Sequence, residues 1–132
     1  MKIEVFFEGK KGVNANVDGY IVKTDQPVES GGDGKFPEPF NLFLASLATC
    51  TGIYIKSFCD NRNIPTDKIK LVQETETDET TMMVTKINIE IQVPSDFPSN
   101  YLDALVHVAG KCKVKKHIMQ APEINAYTKV IV

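Results

Sequence analysis

An uncharged run from Pro39 to Ile55 constrains the fold of this chain more than any other part of its sequence. The proline at its start occupies the first helical position, where its missing N–H costs no hydrogen bond. Apolar side chains then recur at spacings of three and four, the period of one helix face: Phe40, Phe43, Leu44, Leu47, Cys50 and Tyr54. Because Pro65 disfavours the helical region for Ile64, the pattern predicts a central helix from about Pro39 to Asn61.

Alternating apolar and polar side chains predict strands on both sides of this helix. Three short segments precede it, and Asp18-Gly19 between the second and the third is a hairpin signal. A glycine-rich loop, Gln26 to Lys35, then leads to the helix. Two longer strands follow the helix, from Lys68 to Thr77 and from Met82 to Val93. The second alternates strictly, so one face is expected to be buried: Ile87, Ile89, Ile91 and Val93.

The rest of the chain predicts two helical segments and a final strand. Apolar spacing indicates a second helix that starts near Pro98 and ends at Gly110, with a short helical turn around Cys112. His107 falls among the apolar residues of that second helix and is interpreted as a core histidine. Glu123–Val132 is predicted as the last strand. Strands grouped apart from helices indicate an α+β fold with mostly antiparallel pairing, and we expect the 132 residues to form one domain.

Charge and composition argue against several classes of partner. A net charge of -2 gives no general attraction to nucleic acid or to anionic membranes. Arg62 is the only arginine, so the chain has a single guanidinium group for bidentate phosphate recognition. The uncharged run is at the short limit for a membrane span and contains several polar residues. We therefore interpret it as the core helix of a soluble, cytoplasmic protein.

The cysteines are the chemically most informative residues. Three of them without regular spacing do not make the disulfide framework of a secreted protein. The cysteine and histidine spacings do not supply four metal ligands, and we expect no cofactor. Cys50 lies inside the apolar helix, whereas Cys112 lies in the basic segment Lys111-Cys112-Lys113. A thiol in each of these settings suggests paired-cysteine redox chemistry.

Each cysteine also has a purely structural interpretation. Cys50 must ionise to attack a peroxide, yet burial raises the pKa of a thiol, and without a nearby cation it would be an inert core residue. Cys112 is flanked by lysines at the start of a helical turn, which favours a thiolate. The alternative is that these lysines form a solvated face. Cys59 lies nine residues, or about 180° beyond two full turns, from Cys50 and is interpreted as a packing residue.

Taken together, these features resemble the superfamily of osmotically induced protein C (OsmC) and the organic hydroperoxide resistance proteins. The resemblance spans nearly the whole chain in order, and its specific part is the sequence around two of the cysteines. The residues that carry it are the loop Gly31-Gly32-Asp33-Gly34, Pro39 with Cys50-Thr51, the helix-ending Ile64-Pro65, the alternating strand to Val93, and Lys111-Cys112-Lys113-Val114.

The resemblance implies an OsmC-like fold in which two antiparallel sheets wrap around long central helices of an intertwined homodimer. It also implies a site at the subunit interface, where the first cysteine attacks a small hydroperoxide substrate and becomes a sulfenic acid. The second cysteine then forms a disulfide with the first, and a dithiol reductant resets the pair. By position, Cys50 would be the attacking residue and Cys112 the resolving one.

Two positions depart from the hydroperoxidases, which hold the attacking thiolate with an arginine and a glutamate. Lys10 stands where the arginine is expected, and an ammonium lacks the planar fork of a guanidinium. The glutamate position falls on Phe40 or Asn41, neither of which ionises. Glu38 lies close in sequence but is offset by half a turn or more. Lys10 and Glu38 are therefore the candidate supporting residues.

The function predicted from this resemblance is thiol-dependent reduction of organic hydroperoxides, as in a response to oxidative stress. An apolar pocket at the dimer interface would favour alkyl or lipid hydroperoxides over hydrogen peroxide. Its predicted lining is Phe40, Phe43, Leu47 and Phe58. The competing interpretation is a non-enzymatic dimer that binds a small apolar or thiol-reactive ligand at the interface. A third is a structural partner subunit with a large exposed apolar patch.

Overall fold

All residues from Met1 to Val132 are described by a computed structural model, and they divide into two units. The first unit is Met1–Ser46 and the second is Leu47–Val132. The boundary between them falls within the central helix. The expectation of a single domain stays a prediction.

The first unit begins with a three-stranded antiparallel meander. Its strands are β1 (Ile3–Glu8), β2 (Gly12–Val17) and β3 (Tyr20–Val22), in that order across the sheet. Between β2 and β3 both Asp18 and Gly19 have positive φ, 49° and 91°. Positive φ at both central residues is typical of the tight hairpin turn that matches the twist of the flanking strands. The predicted meander is therefore confirmed.

One face of this sheet carries only apolar side chains. Residues directly opposite each other in an antiparallel pair lie on the same face, and the register pairs Val5 with Ala15 and Ala15 with Val22. The complete face is Ile3, Val5, Phe7, Val13, Ala15, Val17, Tyr20 and Val22. Phe7 is 84% exposed and Tyr20 is 78% exposed. The single chain therefore leaves much of an apolar sheet face in contact with water.

The predicted loop after β3 is built around the carboxylate of Asp25. Its two oxygens accept the backbone N–H of Gln26 at 2.8 Å and of Lys35 at 3.1 Å. Gly32 lies against the same segment so closely that a Cβ would be 2.0 Å from the Gln26 carbonyl oxygen. Only glycine fits at this position, which explains one of the glycines in the cluster. A short 3₁₀ turn, Val28–Ser30, lies within the loop.

The central helix, α1, runs from Pro39 to Asp60, close to its predicted bounds. It ends where Asn63 adopts a positive φ of 55° and the Ile64 N–H bonds back to the Cys59 carbonyl at 2.9 Å. By length and composition alone α1 could cross a membrane, and 28% of its most apolar window is buried within the chain. A membrane span and a helix that packs against another surface both fit these numbers.

A long hairpin opens the second unit after α1. It pairs β4 (Lys70–Thr77) with β5 (Val84–Gln92) in antiparallel register. The isoleucines of β5 are half-buried, whereas the residues that alternate with them along the strand are exposed. These exposed residues are Lys86, Asn88, Glu90 and Gln92. The alternation predicted from the sequence is confirmed, with strands slightly shorter than expected.

Two helices complete the second unit. A 3₁₀ turn, Ser99–Tyr101, leads into α2 (Leu102–Ala109), and α3 (Lys113–Met119) follows. The core of this unit lies where α1, α2 and the segment before α2 meet. Its buried members are Ile55, Phe58, Cys59, Phe97 and Leu105. Cys59 is fully buried there, as expected for a packing residue.

Two predictions about this unit are wrong. His107 is exposed rather than in the core, because it lies two residues, or about 200°, around α2 from the buried Leu105. Glu123–Val132 forms no strand and is exposed throughout. A strand needs a neighbour for its N–H and C=O groups, and the single chain supplies none to this segment. The α+β fold with two small antiparallel sheets and three helices is confirmed.

Candidate functional site

The fold brings the two predicted redox cysteines together within the second unit. Cys50 lies in α1 and Cys112 is the N-cap residue of α3, and the Cys50 side chain is close enough to Cys112 to lower the pKa of its thiol. Both are free thiols in this structure. Because Cys112 is 62 positions downstream of Cys50, this contact is a product of tertiary packing. Two thiols in contact are the arrangement that reversible disulfide chemistry requires.

Backbone groups hold the sulfur of Cys112. As the N-cap of α3, it accepts a hydrogen bond from the Lys115 N–H at 3.5 Å. The Val114 N–H also bonds to it. As a thiol it can donate to the carbonyl oxygen of Leu47 in α1, 3.9 Å away. The residue is fully buried, at 0% exposure.

These contacts determine the acidity of Cys112. Burial raises the pKa of its thiol, because a charged sulfur loses its hydration. Hydrogen bonds from the Lys115 N–H and from the Cys50 and Thr51 side chains act in the opposite direction and prevail. The pKa of Cys112 therefore lies below its ordinary value, and the thiolate is favoured by donors that point at the sulfur.

The lysines around Cys112 contribute differently from what the sequence suggested. All four are exposed: Lys111, Lys113, Lys115 and Lys116. The main groups that lower the pKa of Cys112 are hydrogen-bond donors, and for Lys115 the donor is the backbone N–H. The interpretation of these lysines as a solvated face agrees with their exposure.

The other two cysteines have different surroundings. Cys50 is half-buried, so reagents have more access to it than to Cys112. Burial in the core raises the pKa of Cys59, and the charge of Asp60 adds to this effect. A thiol with a raised pKa is poorly nucleophilic near neutral pH. The second unit therefore contains one pair of thiols in contact and one inert thiol.

Thr51 is a site residue that the sequence analysis did not single out. It follows Cys50 in α1, is 2% exposed, and its hydroxyl donates to the Leu47 carbonyl at 2.8 Å. The Leu47 carbonyl oxygen also lies 3.9 Å from the Cys112 sulfur, and the Thr51 side chain lowers the pKa of Cys112. The sequence feature that could have identified Thr51 was its position next to Cys50 in the family motif. Bonding of a threonine hydroxyl to the carbonyl four residues earlier is common in helices, so the pattern alone did not indicate more.

An apolar groove of about 360 Å³ lies next to these residues. Leu47 and Thr51 form its α1 side, so the residues that touch Cys112 also line the groove. Its remaining apolar lining comes from β5, α2 and α3: Ile87, Ile89, Ile91, Val106, Ala109 and Ile118. Gly110 and Lys115 complete it, so Lys115 is the one charged residue in the lining. An elongated apolar molecule with an anionic or polar end matches this lining.

The four predicted pocket residues are distributed differently in the single chain. Leu47 lines the groove, but Phe58 lies in the core with the Arg62 guanidinium 3.7 Å from its ring centre. Phe40 and Phe43 belong to the first unit, where they stack with ring centres 5.6 Å apart. The predicted pocket lies at an interface between two copies, so its lining stays a prediction.

The two candidate supporting residues are both in the first unit. Lys10 forms an ion pair with Asp33, with 3.7 Å between Nζ and Oδ1. Glu38 precedes α1, and its carbonyl oxygen accepts the N–H groups of Asn41 and Leu42. The supporting roles of Lys10 and Glu38 at a thiol stay predictions.

No group of three or more histidine, cysteine or acidic side chains is arranged to hold a metal ion. The residues that come together at the candidate site are two thiols, one hydroxyl and two backbone N–H groups. These groups can stabilise a thiolate and form a disulfide, both of which are thiol chemistry.

Comparison with known proteins identifies relatives for this arrangement. The profile of the family described as OsmC-like protein matches residues 32–126, which is most of the chain. Comparison with curated proteins finds no match.

Several solved structures are similar. A candidate osmotic stress induced and detoxification response protein from Psychrobacter arcticus is 20% identical, with a TM-score of 0.73 over 88% of this chain and 86% of that chain. An organic hydroperoxide resistance protein from Legionella pneumophila is 22% identical, with a TM-score of 0.58 over 89% and 87%. The organic hydroperoxide resistance protein OhrB of Bacillus subtilis is 21% identical, with a TM-score of 0.55 over 91% and 90%. At these identities the structures establish a shared fold.

Proposed function

Because this chain belongs to the OsmC-like protein family, we propose that it is a thiol-dependent peroxidase that reduces organic hydroperoxides. Membership of the family, with structural neighbours named for hydroperoxide resistance, supports a peroxide-related redox role. The observation that carries the proposal is that Cys50 and Cys112, which are distant in sequence, interact with each other in the fold. A disulfide requires the two sulfurs to approach to about 2.05 Å, and thiols that already interact are suited to this.

Accessibility supports a different role for each thiol. Cys50 is half-buried and would attack the peroxide, whereas Cys112 is fully buried and would resolve the product. The Cys50 thiolate attacks the terminal oxygen of ROOH, the O–O bond breaks, and RO⁻ leaves and takes up a proton. Cys50 is then a sulfenic acid. The Cys112 thiolate attacks its sulfur, a disulfide forms, and the hydroxide that leaves becomes water.

The cycle closes with a reductant outside this chain. A dithiol of the thioredoxin or lipoamide class would attack the Cys50–Cys112 disulfide, form a mixed disulfide and release two thiols. The net reaction consumes one hydroperoxide and one dithiol, and it produces one alcohol, one water and one disulfide. The lowered pKa of Cys112 assists both the resolving attack and its departure during reduction.

The groove supports an organic rather than an inorganic peroxide as substrate. Its lining is mostly isoleucine, valine and leucine side chains, which attract an alkyl chain and gain nothing from hydrogen peroxide. Leu47 and Thr51 belong both to the groove and to the surroundings of Cys112. An alkyl chain bound in the groove would therefore lie beside the thiols.

We propose a homodimer, because apolar surface in both units is left exposed by the single chain. The apolar sheet face described above includes Phe7 at 84% exposure, and α1 exposes Ile53 at 56%. Exposed apolar surface of this extent marks an interaction site. A second copy would cover it without a membrane, and the cytoplasm, where thiols stay reduced, is the proposed compartment.

Three single variants test the enzymatic proposal. Cys50→Ser should abolish consumption of cumene hydroperoxide in the presence of dithiothreitol, because the attacking sulfur is gone. In the absence of dithiothreitol, Cys112→Ser should carry out a single stoichiometric turnover that leaves Cys50 as a sulfenic acid, whereas wild type should end as the disulfide. Cys59→Ala is the matched control and should keep the steady-state rate, because Cys59 lies in the core. Unchanged rates in both Cys50→Ser and Cys112→Ser would refute the assignment.

The groove also favours a second candidate, a non-enzymatic protein that binds an apolar or thiol-reactive ligand. A groove bounded by apolar side chains next to a thiol pair would retain such a ligand without any turnover. In that case wild-type protein would bind an alkyl disulfide or alkyl iodoacetamide at Cys50, yet it would consume hydroperoxide no faster than dithiothreitol alone.

A further inference from the structure

The hydroxyl of Thr51 has two possible acceptors. Its oxygen lies 2.8 Å from the Leu47 carbonyl oxygen, and the same carbonyl oxygen lies 3.9 Å from the Cys112 sulfur, so the sulfur is close enough to be the second acceptor. A hydroxyl carries a single hydrogen, so it can donate to one of these acceptors at a time. Thr51 is 2% exposed and Cys112 is 0% exposed, so water does not compete freely for either group.

The Leu47 carbonyl connects the two side chains. The sulfur of Cys112 lies 3.9 Å from this oxygen and donates to it while protonated. Within α1 the same oxygen also accepts the backbone N–H four residues later, which belongs to Thr51. The carbonyl therefore keeps one hydrogen bond whichever way the hydroxyl of Thr51 turns. Rotation of the hydroxyl leaves no buried acceptor without a partner.

We propose that Thr51 is a positioning residue whose hydroxyl turns from the Leu47 carbonyl to the Cys112 sulfur when that thiol ionises. The proton of Cys112 leaves to a solvent base, so the sulfur becomes an acceptor only. The hydroxyl then donates to the thiolate, beside the N–H groups of Val114 and Lys115 and the thiol of Cys50. Thr51 thereby keeps the thiolate stable and directed at Cys50.

Few other titratable groups face this sulfur. Cys50 approaches it from α1, and Lys111, Lys113 and Lys115 flank it in its own segment. From β5 and α2 the groove receives only apolar or glycine residues. The hydroxyl of Thr51 is thus the one neutral side-chain oxygen placed to respond to the charge on Cys112.

A threonine-to-valine substitution isolates this hydrogen bond, because valine keeps the shape of threonine and removes only the hydroxyl. Loss of one hydrogen bond to a charged sulfur should raise the pKa of Cys112 by about one unit. At a pH below this pKa the thiolate fraction falls about tenfold, and alkylation of Cys112 slows by the same factor. Thr51→Ser keeps the hydroxyl and should stay close to wild type. Thr49→Val makes the same change at an exposed position of α1 and is the matched control.

The measurement is the pH midpoint of iodoacetamide labelling at Cys112, determined for each cysteine by mass spectrometry of the digested full-length protein. The inference holds if the midpoint rises in Thr51→Val and in Thr51→Ala but not in Thr51→Ser or Thr49→Val. It is overturned if Thr51→Val leaves the midpoint unchanged, or if Thr51→Ser moves it as far as Thr51→Val does. Using two variants without the hydroxyl keeps the test valid if one of them folds poorly.

The effect of Thr51 on the Cys112 thiolate does not depend on the proposed function. Only its effect on formation of the Cys50–Cys112 disulfide rests on the proposed function. Labelling requires no peroxide, so a shifted midpoint in a protein without peroxidase activity would overturn the proposed function alone. Conversely, full peroxidase activity with an unshifted midpoint would overturn only the role of Thr51. If both hold, Thr51→Val should also slow the formation of the Cys50–Cys112 disulfide after one equivalent of cumene hydroperoxide.

Discussion

Truncation of Leu105 tests whether the core of the second unit stabilises the protein as its packing indicates. Leu105 is 1% exposed in α2 and belongs to the cluster that joins α2 to α1. Leu105→Ala removes three buried carbon atoms, which corresponds to about 2.4 kcal/mol of transfer free energy at roughly 0.8 kcal/mol for each. The cavity that remains adds to this, so the free energy of unfolding should fall by about 3 kcal/mol.

The expected change in melting temperature follows from the chain length. At about 2.1 cal/mol/K per residue, 132 residues give an unfolding entropy of about 0.28 kcal/mol/K. A loss of about 3 kcal/mol then lowers Tm by about 11 °C. Thermal unfolding followed by circular dichroism measures this shift, with urea unfolding as an independent determination of the free energy.

Leu102→Ala provides the matched control for this experiment. Leu102 begins the same helix and is 43% exposed, so the same truncation should cost about 1 kcal/mol or less. Equal shifts in the two variants would refute the reasoning, and so would a Leu105→Ala protein that melts within about 3 °C of wild type. Either result would mean that the burial of Leu105 does not contribute to stability in solution.

Two further substitutions test interactions at other positions. Backbone N–H groups lower the pKa of Asp25, so the stability it contributes is present above its unfolded pKa of about 3.9 and is lost as pH falls through the folded value. Asp25→Asn should therefore flatten the acid limb of a Tm-against-pH curve, and a limb as steep as that of wild type would contradict this reasoning. The Arg62 guanidinium lies 3.7 Å from the Phe58 ring centre, and Arg62→Ala should lower the free energy of urea unfolding by about 1 kcal/mol. Arg62→Lys should restore only part of this loss, because an ammonium lacks the planar face; complete restoration would show that charge alone is responsible.

The elements of the fold were largely predictable because their signals are local. The uncharged run of α1 and the strict alternation of β5 each reflect a period that one segment imposes on its own side chains. The final strand was mispredicted for the same reason. Glu123–Val132 has the composition of a strand, but a strand exists only where another strand pairs with it.

The candidate site likewise has features that are local in sequence and features that depend on contacts between distant segments. The sequence contexts of Cys50 and Cys112 were sufficient to nominate both thiols. The backbone N–H of Lys115 belongs to the helical turn that was predicted to begin at Cys112. The Thr51 hydroxyl was not predictable at this sulfur, because Thr51 comes from α1.

Residue type and local periodicity belong to the chain alone, and they were enough to predict the α+β class, the central helix, the long hairpin and the two cysteines. Packing of the helices and strands brings Cys50 to Cys112, adds Thr51 to them, and forms the groove from β5, α2 and α3 beside α1. Contacts between residues distant in sequence depend on how helices and strands pack. Hydrogen bonds and burial at those contacts, rather than the identity of the cysteine, set the pKa of the Cys112 thiol.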